Sequence, residues 1–175
     1  MGNMKKKFII CSGVFILFLL AVYFLPLQRK IDVKLDGVEC RIGDNEYDKE
    51  LSINVSGTYN DYLFKDDTFL GTITIEGYGD VWSISSGKLR FSDNRSRLVI
   101  LDKNNKTNDF GELVYRKGFN EILILVSEKI GENGSGWSSE DGVYIAAPAK
   151  NKAEAVNLSE ELSENDKWIS GIKWE

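Results

Sequence analysis

The sequence predicts a mainly β protein: an N-terminal transmembrane helix, then an antiparallel β-sandwich or meander barrel with one C-terminal helix. Three observations predict it. Lys5, Lys6 and Lys7 precede twenty uncharged residues, Phe8 to Leu27, a run that can cross a bilayer core of about 30 Å as a helix. From Lys30 to about Tyr144, apolar residues recur with period two between turn residues, as half-buried strands require. Only near the end does the spacing turn helical.

The first segment is expected to stay attached as a signal anchor. A cleavable signal has an apolar core of about 7 to 15 residues and a small-x-small end, whereas this core is longer and ends in Tyr23-Phe24-Leu25-Pro26-Leu27. Cys11 lies near its beginning, which rules out a lipoprotein cysteine. Basic residues near the two ends balance, Lys5 to Lys7 against Arg29, Lys30 and Lys34. The free amino terminus and the lack of folded mass before the span place residues 1–7 in the cytoplasm. Residues 8–27 then form the single-pass membrane span, and residues 28–175 one extracytoplasmic β-rich domain.

Within that domain Ile31, Val33 and Leu35 alternate with polar residues, Asp36-Gly37 reads as a hairpin turn, and Val38, Cys40 and Ile42 follow. Leu51, Ile53 and Val55 form the next strand. Phe69, Gly71, Ile73 and Ile75 then share one face, with Leu70, Thr72, Thr74 and Glu76 opposite. Turns follow at Gly77 to Asp80, Ser85 to Gly87 and Ser92 to Arg95, and a polar loop at Asp102 to Asp109. Ile122 to Val126 is apolar on both faces, as in a covered central strand. Gly131 to Gly142 reads as a mobile loop. Asn151 and Glu154 have the order of a capping box, with Ala155, Leu158 and Leu162 at helical spacing, so a helix is predicted over about 151–163. Trp168, Ser170, Ile172 and Trp174 would share one face of a final strand.

Composition narrows the function. Beyond the three lysines the chain holds 19 basic and 27 acidic residues, a net charge of −8. Such a surface is poor for nucleic acid, anionic lipid or polyanionic glycans. The chain has no histidine, which removes the usual general base, the commonest metal ligand and every Ser-His or Cys-His pair. Cys40 is the only cysteine after the apolar segment, so it pairs with no other in the domain and is expected as a buried thiol or an intermolecular bridge.

The remaining motifs are fragments. Ser85-Ser86-Gly87-Lys88 fits Ser-x-x-Lys, but in a hairpin turn rather than on a helix. Gly134-Ser135-Gly136-Trp137-Ser138 only loosely resembles a nucleophile elbow. Asp102 to Thr107 begins like a calcium loop, yet Lys106 replaces an oxygen ligand and Thr107 the glycine. Asp44, Glu46, Asp48 and Glu50 alternate, as a strand's solvated face does; paired acids of this kind are the one catalytic resource left, for glycoside hydrolysis, or Asp44, Glu46 and Asp48 could hold a cation. Tyr59, Tyr62, Phe64, Tyr78 and Trp82 fall close together and suit either sugar or protein contact or the closing of a sheet end. Sequons begin at Asn54, Asn94, Asn105, Asn133 and Asn157, but the excess of Lys over Arg, with abundant Asn and Ile, fits an AT-rich bacterial genome, where glycosylation is not expected. No cofactor motif is present.

Ser56-Gly57-Thr58-Tyr59, Tyr62-Leu63-Phe64-Lys65, Asp67 to Ile75, and Ile145-Ala146-Ala147-Pro148-Ala149 before Glu154-Ala155 together resemble uncharacterised single-span, membrane-anchored extracytoplasmic proteins of Gram-positive bacteria. The resemblance spans roughly residues 50 to 160. It implies a bacterial surface location and carries no activity or site residues. The expected function is a non-enzymatic binding or scaffold domain with a protein or glycan partner in the cell envelope. The alternatives are a carboxylate-dependent hydrolase and an accessory subunit of a membrane complex, for which Ser12 and Gly13 offer a small-residue contact.

Overall fold

A computed structural model describes residues 2–82, 88–101, 106–116, 118–131, 134–164 and 166–175. Among these described residues a helix α1 (Gly2–Phe24) is followed by eleven strands: β1 (Leu27–Arg41), β2 (Asp44–Asp61), β3 (Asp67–Ile75), β4 (Gly79–Trp82), β5 (Lys88–Phe91), β6 (Arg95–Leu101), β7 (Thr107–Tyr115), β8 (Ile122–Val126), β9 (Glu128–Ile130), β10 (Gly134–Gly136) and β11 (Val143–Ala147). Helix α2 (Lys152–Ser163) comes last.

The predicted membrane span is not what the chain forms. Among the described residues no helix is long and apolar enough to cross a membrane, which overturns the single-pass membrane location and the inside-to-outside topology built on it. The helix stops at Phe24, because Pro26 cannot continue it, and Leu27 already pairs with Asp61 as the first residue of β1. The uncharged helical stretch is therefore Phe8 to Phe24, about 25 Å at 1.5 Å per residue, against a hydrocarbon core of about 30 Å. Its C-terminal end meets the loop before β3, where Tyr23 stacks on Phe64 with ring centroids 5.9 Å apart and the Lys65 ammonium lies 4.1 Å from the Phe24 ring.

The strands form an antiparallel, nearly closed barrel-like sheet, and of the two predicted forms it is the meander. The order β2-β1-β11-β8-β7-β6-β4-β3-β5 is brought round on itself by a β2–β3 ladder from Ile53↔Ile75 to Asn60↔Thr68. One stave is shared: β4 pairs with the end of β3, at Ile73 to Ile75, and β5 with its start, at Asp67 to Leu70.

Period two sorts the side chains as the sequence predicts. Leu51, Ile53 and Val55 of β2, Phe69, Ile73 and Ile75 of β3, and Ile122 and Ile124 of β8 point into the barrel and are buried there. Aromatic bulk fills one end: Tyr59, Phe69, Phe91, Tyr115 and Phe119 form a connected cluster with centroids 4.1 to 6.1 Å apart. The opposite faces of β1, β11, β8 and β7 carry Val38, Cys40, Tyr144, Ala146, Leu123, Leu125 and Val114, which pack under Ala155, Leu158 and Leu162 of α2. Strand β8 is buried at every residue because it has core on both faces. Helix α2 starts as predicted: Asn151 accepts from the Glu154 N–H at 3.0 Å, while the Glu154 carboxylate reaches back to the N–H of Lys150.

Three local expectations are corrected. Asp36-Gly37 is no turn: Gly37 pairs with Leu51 inside the β1–β2 ladder, and a Cβ there would lie 2.8 Å from that of Ala147. The glycine allows β11 to approach, and the chain reverses instead at Ile42-Gly43, where Gly43 has φ +75°. Gly131 to Gly142 contains β10, which pairs with β9, and Trp137, whose indole donates to the Val143 carbonyl at 2.9 Å. The segment Trp168 to Trp174 is a run of turns and coil rather than a strand.

Candidate functional site

The last segment fails to become a strand because of Asp166. Its Oδ1 accepts from the N–H of Trp168 at 2.8 Å and of Ile169 at 3.3 Å, and its carbonyl accepts from the N–H of Ser170 at 3.0 Å. A carboxylate in this position curls the chain as a helix cap does. Ile169 and Trp174 are buried against the outer core, Trp174 donating its indole N–H to Ser163 Oγ at 3.2 Å and its carbonyl accepting from the Tyr144 hydroxyl at 2.9 Å. Between Asp166 and Ile169, Trp168 is 82% exposed. Trp168 and Trp174, expected on one face, therefore have opposite fates.

The curled segment is tied to the barrel by Arg95 of β6. Its Nη1 donates to Asp166 Oδ1 at 2.8 Å and its Nη2 to Glu112 of β7. The Arg95 and Asp166 side chains are only 15% and 7% exposed. Alongside, Arg97 donates to Asp109 at 2.9 Å. Burial pushes the Asp109 carboxyl up, but hydrogen bonds from Arg97 and Ser127 outweigh it and hold the group below its usual range. Farther along, Arg116 bridges Glu121 and Glu161 of α2. Together β5, β6, β7 and the curled segment enclose an open groove of about 780 Å³ lined by Arg90, Ser92, Arg95, Arg97, Lys167 and Trp168 among others.

Two networks of phenols and carboxylates occupy other parts of the molecule. The Tyr59 hydroxyl donates to Asp67 at 2.5 Å and lies 2.7 Å from that of Tyr115. Burial, with the bond to Asp67, pushes the Tyr59 phenol far up. On β1, the buried Glu39 accepts from Tyr47 at 2.5 Å and Tyr78 at 2.8 Å. That hydrogen bond, helped by burial, pushes the Tyr47 phenol up to about 12. In both sets the phenols bond to a carboxylate or a phenol of their own network.

The residues singled out from sequence are dispersed. Asp44, Glu46, Asp48 and Glu50 are all exposed on β2, Asp44 accepting from the Glu46 N–H. Among the described residues no group of three or more metal-ligating side chains comes together. Tyr59 is inside the barrel, Tyr78 is bonded to Glu39, Tyr62 is half-buried, and Phe64 faces α1. The side chain of Trp82, residues 85–87 of the Ser-x-x-Lys fragment, residues 102–105 of the calcium-like loop, and the sequon asparagines Asn105 and Asn133 lie outside the described residues. Ser135 donates to Asp109 at 3.3 Å, and Ser138 Oγ accepts from the N–H groups of Glu140 and Asp141, as in a turn. Cys40 is buried, and that burial raises its thiol pKa. The groove itself was missed because its parts come from distant segments. Its one sequence signal was the order Asp-x-Trp-Ile, an Asx residue two before an aromatic and three before an apolar side chain.

Fold and site define a nearly closed antiparallel meander barrel with an external helix and a polar groove that displays one tryptophan. No protein-family model matches the chain, and neither a curated protein nor a solved structure is similar to it.

Proposed function

We propose that the β-domain is a non-enzymatic binding or scaffold module, and that it engages its partner through the groove at Trp168. The observation that carries this reading is a large aromatic side chain held 82% exposed by a turn whose other anchors are buried. Ordering a side chain's backbone before binding lowers the entropic cost of association, and tryptophan is the residue type most enriched at binding hot spots. The hydrolase alternative asks for a carboxylate free to move a proton. Of the four acids that line the groove, Asp66, Asp93, Glu112 and Asp166, the last two are engaged by Arg95, which supports the binding reading over the catalytic one.

The test is affinity recovery from extracts of the source cells with the full chain and with Trp168→Ala. Binding through the groove predicts that partners recovered by the wild type fall at least tenfold with W168A. Equal recovery by both would refute it.

A further inference from the structure

Trp168 stands where two hollows meet. The groove adjoins a second hollow of about 320 Å³, and Arg95, Arg97, Glu112 and Trp168 line both. The second hollow adds Trp137, and with it Ser127 and Ser135, which donate to Asp109 at 2.8 and 3.3 Å. Trp137 is half-buried, and its one polar side-chain atom, the indole nitrogen, donates to the Val143 carbonyl. What Trp137 offers the hollow is therefore ring carbon. The other large apolar side chains of the lining, Leu125 and Ile169, are buried. Among the described residues the joined cleft thus presents to solvent two indole rings set among polar groups.

The polar groups are balanced in charge. Among the described residues four basic and four acidic side chains line the groove, so it selects neither an anion nor a cation. Donors and acceptors are both on offer. Arg97 donates to Asp109 through Nε and, with its side chain 60% exposed, keeps its two terminal nitrogens as donors, while Asp66 and Asp93 are exposed acceptors. A peptide gains most of its affinity by sinking anchor side chains into well-packed, desolvated pockets, and this polar lining makes none. A sugar ring fits the lining better. Its C–H face lies against the electron-rich face of an indole, and each of its hydroxyls both donates and accepts, so guanidinium and carboxylate alike find a partner in a ligand without charge. We propose that the cleft takes an uncharged oligosaccharide, with one sugar stacked on Trp168 and the chain running on toward Trp137. This rests on the binding role of the Trp168 groove and names the class of its ligand.

The test is saturation-transfer NMR of the full-length protein with uncharged tetrasaccharides of glucose, mannose, galactose and N-acetylglucosamine, and with tetragalacturonate as the charged comparison, followed by titration of those that bind. An uncharged tetrasaccharide is expected to bind at least tenfold more tightly than its own disaccharide and than tetragalacturonate. Its affinity should change less than twofold between about 0.05 and 0.5 M salt, a range over which attraction between exposed charges is screened. W168A should lower that affinity at least tenfold and remove the saturation signal from the sugar C–H protons, at an unchanged urea midpoint because Trp168 is exposed. A disaccharide as tight as the tetrasaccharide would overturn the run toward Trp137. Binding that survives W168A, or that tetragalacturonate matches, overturns the assignment. So does the lack of any tetrasaccharide with a Kd below about 10 mM; if the affinity recovery then yields a protein that depends on Trp168, the groove binds a polypeptide and only the ligand class fails.

Discussion

Arg95→Met strips the charge that faces Asp166 while keeping most of the side chain's stem. The pair is 2.8 Å long, with side chains 15% and 7% exposed. Exposed ion pairs contribute about 0.2–1 kcal/mol, whereas removing one partner of a buried pair costs about 3–5 kcal/mol. This pair lies nearer the buried limit, but Asp166 would keep the N–H donors of Trp168 and Ile169. A loss of about 2–3 kcal/mol is expected. Urea unfolding at pH 7 measures it as a lower midpoint with unchanged slope. Asp166→Asn keeps a carbonyl oxygen for the two N–H groups and removes the charge, so a double-mutant cycle isolates the ion pair, with an expected coupling of about 1.5–2.5 kcal/mol. A single-mutant loss within about 0.5 kcal/mol, the range of ordinary surface substitutions, would refute the view that this pair fastens the curled segment to the barrel.

Other perturbations have defined outcomes. Tyr47 keeps its proton to about pH 12 in the folded state against about 10 in an unfolded chain, so its contribution is intact below about pH 10 and is lost between the two values; alkaline urea unfolding of Tyr47→Phe should fall less steeply across that window. Asp109 has the opposite sign: its folded pKa is depressed, so its stabilisation is present above the unfolded value of about 3.9 and is lost as pH falls through the folded one, and Asp109→Asn should flatten acid unfolding below about pH 4. Gly57 and Gly71 face each other across β2 and β3 under the Phe69 ring, and a Cβ on Gly71 would lie 2.6 Å from the Gly57 Cα; Gly71→Ala should cost at least the roughly 1–3 kcal/mol of overpacking, read as a lower urea midpoint. Trp174→Ala empties a fully buried site between Tyr144 and Trp137 and should cost about 3–5 kcal/mol, with faster labelling of Cys40 beneath the same layer.

Period-two patterning made the strands legible because a barrel has one apolar lining, and burial alternates wherever its outer face is wet. The covered strand Ile122 to Val126 and the capped helix after Asn151 were equally legible, since each signal is local. Glycine was ambiguous: at Gly37 and Gly71 the missing Cβ admits a neighbouring strand, whereas at Gly43 it supplies positive φ, and one letter encodes both. The apolar run at the start was read by length alone, and the proline that ends its helix at Phe24 shortened it. The site depended on contacts that periodicity does not carry. Asp166 bends the final segment, Arg95 seventy-one residues earlier holds it, and together they turn Trp168 outward and Trp174 inward from what read as one strand face.

The most direct test of the Trp168 groove as the binding surface is site-specific photocrosslinking. A benzophenone amino acid at position 168, and another at Ala153, exposed on α2, are irradiated in extracts of the source cells. Binding through the groove predicts discrete adducts from position 168, competed by excess unlabelled wild type and absent from position 153. The same adducts from both positions, or none that the wild type competes, would contradict it.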